Sequence, residues 1–232
     1  MNHSGDTRQA LIDYAIGLGD DALILGQRLS EWCRNGPFLE EDLALTNVAL
    51  DFVGRARMLY SYAGEVEGKG RDEDAIAFLR DSREYTNLLI NELPIGDFGD
   101  TMARQFLVDA FEVEFFAALT RSADATLAAI AAKAVKECRY HLRRSQDWII
   151  RLGDGTDDSH ARIQAAVTHL MPYTQEYWTV SALEQEAQQA GIRIDWPQLA
   201  ADWNALVDDA LREATLERPP ATVAADVAGG YL

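Results

Sequence analysis

Cysteine is scarce in this chain of 232 residues. Two, Cys33 and Cys138, are too few for a disulfide framework, so a reducing compartment, the cytoplasm, is expected. Positive charge is scarce too. Lys and Arg number 21 against 38 Asp and Glu, a net charge of −17, which argues against a nucleic-acid or anionic-membrane surface because phosphate binding needs clustered cations. No apolar run approaches the ~18 residues that a spanning helix requires. The opening Met1 to Gly5 lacks the basic and apolar regions of a signal peptide. Neither a G-x-G-x-x-G nor a Walker pattern occurs, so no glycine-rich phosphate loop is expected. No stretch alternates with the period of a strand, and no repeat has the period of a solenoid.

With strands missing, helical spacing accounts for the apolar residues. Asp6 and Thr7 offer N-caps to a first helix carrying Leu11, Tyr14, Ala15, Leu18, Ala22, Leu25, Leu29 and Trp32, which Asn35-Gly36-Pro37 ends. A second runs from Glu40-Glu41-Asp42, acids suited to the positive end of a helix dipole, to about Glu65, with the stripe Leu45, Ala49, Phe52, Ala56, Leu59 and Ala63. A shorter stretch, Glu73 to Leu93, has a break near Asp81, and Pro94 to Gly99 is a loop. The third and fourth long helices span about 100–122 and 124–152. The acidic turn Gly153 to Ser159 lacks the spacing and terminal Glu of a calcium loop and reads as a helix cap. Weaker helices follow at about 159–177, 180–190 and 196–217, then Pro219-Pro220 and a small-residue tail. The expected architecture is a single all-α domain over 1–232. It is a four-helix bundle at about 7–152 with extra helices at about 159–217 and a tail at 218–232.

Histidine is scarce too. There are four, and only His141 lies centrally in a bundle helix. A dinuclear carboxylate centre in a four-helix bundle needs a Glu from each of two helices and a Glu-x-x-His pair from each of the other two. Three residues before His141 stands Cys138, and the nearest acid, Glu137, is four residues back, about 40° round the helix from His141 and off the usual position. On the second helix a pair three apart falls on Phe52 and Arg55, neither of which ligates iron, and Asp51 has Gly54 and Arg55 at its spacings. The third helix offers Asp109, Glu112 and Glu114, of which Asp109 or Glu112 points inward while Glu114 reads as a solvated acid. His141 is therefore expected to be a hydrogen-bonded core residue and Cys138 a small buried hydrophobe. No catalytic, cofactor or metal residue is assigned.

The segments Gly19-Asp20-Asp21, Gln27 to Cys33, Asp42 to Asn47, Ala103 to Phe106 and above all Lys136-Glu137-Cys138-Arg139-Tyr140-His141-Leu142-Arg143 carry a resemblance. The chain resembles the C-type accessory subunits of bacterial ring-1,2-phenylacetyl-CoA epoxidases, from about Leu18 to Glu217. The resemblance implies a ferritin-like fold, a cytoplasmic role in aerobic phenylacetate catabolism, and a homologous A-type subunit that carries the di-iron centre and the acyl-CoA site. It also implies that the ligand positions of that subunit match Phe52, Arg55, Cys138 and His141 here, with Glu112 and Glu137 beside them as a vacated site. Members of the family usually extend beyond the Gly-Gly-Tyr-Leu end with a further helical tail.

The function expected is a non-catalytic structural subunit supporting the A-type partner, with homodimers through the same face when the partner is missing. The competing classes are a stand-alone di-iron or di-manganese enzyme using Asp51, Glu112, Glu137 and His141, and a helical scaffold unrelated to phenylacetate. In the favoured reading the charge of the lost metals is replaced by Arg55, paired with Glu112 or Asp109 and reaching Glu137, with His141 in the same network. The plainer reading pairs Arg55 with Asp51 on the helix surface. The five tryptophans and eight tyrosines are the expected interface anchors.

Overall fold

The computed structural model describes residues 3–179, 185, 187–188, 191–192 and 194–220, and every regular element among them is helical. The all-α, ferritin-like class expected from the sequence is the class found. The long helices are α1 (His3–Ser30), α2 (Leu39–Glu67), α5 (Phe98–Leu119) and α6 (Ala125–Gly153). Shorter ones are α3 (Glu73–Phe78), α4 (Leu89–Glu92), α7 (Asp157–Leu170) and α8 (Trp196–Glu213). The expected helix at 180–190 and the tail beyond 220 lie largely outside the described residues. No described helix is long and apolar enough to cross a membrane.

Helix ends differ from expectation where local bonding changes character. α1 is already helical at His3, so Asp6 and Thr7 do not cap it; no proline precedes them, and Gly5 costs only about 1 kcal/mol relative to Ala. At its other end the α-helix stops at Ser30, and Glu31, Trp32 and Cys33 continue with tighter bonds to the carbonyls three residues back. A closing turn of this kind satisfies carbonyls that would otherwise be orphaned. The stretch from Glu73 to Leu93 is three pieces, broken near Asp81 as the sequence indicated. Asp81 caps a 3₁₀ turn at Ser82–Glu84 reciprocally with Glu84, so the chain restarts there. Pro172 likewise sits at the start of a 3₁₀ segment, Met171–Trp178, after α7.

The chain divides into two compact units. The first takes Met1–Glu92, Phe116–Ala134 and Val180–Ile194; the second takes Leu93–Phe115, Val135–Thr179 and Asp195–Leu232.

The first unit is built on α1 and α2, an antiparallel pair that comes close at two glycines. A Cβ at Gly19 would lie 2.5 Å from the Tyr60 ring, and one at Gly26 would lie 3.2 Å from Phe52 and Val53. Beside Gly19 the fully buried Asp20 gathers the fragments that follow α2. It accepts from the Tyr60 hydroxyl at 2.7 Å, from both terminal nitrogens of Arg80, and from the Thr86 backbone N–H at 3.0 Å. Asp21 accepts from the Leu88 N–H and the Asn91 amide at 2.7 and 2.8 Å. Gly19-Asp20-Asp21 is therefore the clamp that holds residues 80–91 on α1. Burial, and then the Asp20 carboxylate beside it, push the Tyr60 hydroxyl well above its ordinary range, so it stays a donor.

The second unit is organised by α5. Every residue from Thr101 to Val113 is buried, as in a helix covered all round. Its aromatic end stacks Phe111 on Tyr177, with ring centroids 4.3 Å apart, beside Trp178 and Trp203. The Trp203 indole donates to the Leu107 carbonyl at 3.2 Å. The acidic turn before α7 is the cap expected of it, with Thr156 and Ser159 bonded reciprocally.

Replacing Asp20 by Ala strands Arg80 and the Tyr60 hydroxyl in a dry interior. Removing one partner of such a buried set costs about 3–5 kcal/mol. Urea denaturation of Asp20→Ala is expected to show a loss of that size; a loss under about 1 kcal/mol, the size of an exposed pair, would contradict the clamp.

Candidate functional site

Phe52 and Arg55 lie one turn apart on the buried face of α2. Arg55 is 1% exposed, so the reading that left it on the helix surface does not hold. Its guanidinium carbon sits 4.8 Å from the ring centroids of both Phe52 and Phe116, a cation between two aromatic faces. A desolvated contact of this kind is worth about 2 kcal/mol. Arginine suits the position because its flat, weakly hydrated head stacks where a lysine ammonium could not.

The acids expected to meet Arg55 belong to the second unit. There Cys138 and Glu112, from α6 and α5, come together: both are buried, and the Cys138 thiol donates to Glu112 Oε2 at 3.4 Å. Asp109 is fully buried and accepts from the Gln105 amide at 2.6 Å and from the Ser145 hydroxyl at 2.7 Å. His141 is buried on α6 with its ring edge-on to Tyr140, while Glu137 is half-buried. Glu114 is half-buried rather than a solvated acid. Burial, then the nearby charge of Asp202, raise its pKa against the opposing pull of Arg139.

Reading along the sequence found Phe52, Arg55, Glu112, Cys138 and His141 but missed the donors. Ser145 lies four residues beyond His141 and Gln105 four before Asp109, each one helical turn away, so the i, i+4 spacing was the available signal. Among the described residues no group of three or more His, Cys, Asp or Glu is placed to hold a metal ion. A di-iron centre does not fit these side chains. Arg55 and Phe52 have no lone pair to offer a metal, and Asp109 and Glu112 are engaged by protein donors.

Two comparisons bear on this arrangement. The family model described as phenylacetic acid catabolic protein matches residues 2–230. A protein of Escherichia coli (strain K12), the C subunit of its 1,2-phenylacetyl-CoA epoxidase, is 48% identical over 209 residues, 90% of this chain and 84% of that protein.

Two outcomes are expected from substitution here. Arg55→Ala, which empties a stacked and buried position, is expected to cost about 3–5 kcal/mol in denaturant unfolding. Arg55→Lys should fall between, because it keeps the charge and loses the planar stack. Equal stability of all three would contradict the arrangement. For Glu114 the folded pKa is raised, so the folded chain binds the proton more readily. Its favourable contribution is therefore present at low pH and lost as pH rises through the folded value. Glu114→Gln is expected to raise the melting temperature at pH 7 and leave it nearly unchanged near pH 4. A gain that does not depend on pH would contradict this.

Proposed function

The chain belongs to the phenylacetic acid catabolic protein family, and we propose that it is the C-type, structural subunit of a phenylacetyl-CoA 1,2-epoxidase. In this reading it serves aerobic phenylacetate catabolism by pairing with a homologous A-type subunit that carries the di-iron centre, and it keeps that subunit folded. It supplies no group to the reacting atoms.

The observation that carries the reading is Arg55. The family's ligand pattern would put a histidine there, and this chain puts a buried guanidinium held by Phe52 and Phe116. A fixed positive charge thus stands at that position, held by two rings of the same unit. It cannot offer a lone pair to a metal, so that position supplies no ligand. Phe52 and Cys138 fill the remaining positions as packing groups, with the Cys138 thiol also donating to Glu112. The high identity to a C-type subunit over 90% of the chain supports the assignment to this side of the pair.

Co-expression with an A-type subunit tests it. The pair is expected to elute as one complex and, with iron and a reductase, to convert phenylacetyl-CoA, whereas this chain alone under the same conditions gives no product. Turnover by the chain alone would overturn the reading in favour of a stand-alone di-iron or di-manganese enzyme.

A further inference from the structure

Among the described residues, the tryptophans and tyrosines expected to anchor an interface are, with one exception, buried or half-buried. Trp32 and Trp203 are buried, and among the described residues Tyr140 is the exposed member of the two types. What the surface offers instead is aliphatic and lies in the first unit. Leu39, Leu43, Leu50 and Val53 are 69, 55, 63 and 39% exposed. Their spacing puts them along one stripe of α2, opposite the stripe that packs inward. Phe78 and Leu79, at the end of α3, are exposed as well.

Gly54 lies in the same stripe. A Cβ built there meets nothing within 4 Å, so no neighbour within the chain requires a glycine. Glycine is the poorest helix former after proline, and a mid-helix position with open space beside it is where it brings the least benefit. A reason outside the chain is close approach of another backbone, the same device by which Gly19 and Gly26 let α1 and α2 meet. Beside this point, a groove of about 350 Å³ opens between Leu23, Val53, Ala56, Tyr60, Ala77 and Phe78, wide enough for an apolar side chain of the approaching element.

Charge identifies the occupant. The segments around this face, 39–57 and 72–84, carry nine acids against four arginines. Two of those arginines are already engaged within the chain, Arg57 with Glu73 and Arg80 with Asp20. A second copy docked symmetrically would set acid against acid, on a chain whose net charge is −17.

We propose that the outward face of α2, from Leu39 to Gly54 with the adjoining groove, docks the A-type catalytic subunit through an apolar helix whose flanks are basic. This rests on the function proposed above. The partner helix crosses α2 at Gly54, sets an apolar side chain into the groove, and meets the acidic rim with Lys or Arg.

The test uses the full chain and the A-type subunit, with association followed by interferometry and the isolated chain by thermal melting. Gly54→Leu is expected to raise the melting temperature of the chain alone, because it improves the helix in open space, and to weaken association at least about 30-fold. Leu50→Glu is expected to weaken association as much with little change in melting, and added salt to weaken the wild-type complex. Tyr140→Ser, on α6, serves as the comparison site and should leave binding within a few-fold. If the wild type binds and both α2 variants bind equally well, this face is wrong while the proposed function stands. If the wild type does not bind the A-type subunit at all, both fall. If the wild type forms a homodimer that Leu50→Glu dissociates, the occupant is a second copy and the proposal is overturned.

Discussion

Charge taken out of water has to be met inside, and that constraint shapes both units. A helical interior has few ways to meet it: an opposite charge, a set of hydrogen-bond donors, or the face of an aromatic ring. In the first unit Asp20 is met by Arg80, Tyr60 and Thr86, and Arg55 by Phe52 and Phe116. In the second, Asp109 is met by Gln105 and Ser145, and Glu112 by the thiol of Cys138. Each solution ties together residues far apart in sequence, so the polar interior also fixes which helix neighbours which. An apolar core alone would leave that choice looser.

The same constraint connects fold to function. Members of a family that hold metal in a bundle use carboxylates as ligands, and the metal answers their charge. A relative that keeps the bundle but gives up the metal must answer whatever acids it retains in another way. A guanidinium held by two rings, as Arg55 is by Phe52 and Phe116, is a fixed charge that needs no loading, which is what the proposed structural subunit requires.

The helices were legible in the sequence because their apolar stripes are long: Leu45, Ala49, Phe52, Ala56, Leu59 and Ala63 are all buried, at the spacing that revealed them. The ends were less so, because whether α1 stops at Ser30 or runs to Asn35 depends on hydrogen-bond geometry in the last turns. Arg55 and Cys138 stood out because they break a pattern of spacings, which is local information. What Asp20 does was not legible, since Arg80 and Thr86 lie 60 and 66 residues away and only the folded chain brings them together. Exposure was not legible for a related reason. Whether an aromatic ring faces in or out is set by packing, and the exposed stripe of α2 is made of Leu39, Leu43, Leu50 and Val53.

In the proposed function this chain carries a fixed cation, Arg55, where its A-type partner binds metal, and metal content by subunit tests this directly. The iron-reconstituted pair is separated under non-denaturing conditions and iron is assayed on each chain. Iron is expected to partition wholly to the A-type partner, at any excess supplied. Stoichiometric iron retained on this chain, and lost on His141→Ala, would contradict it.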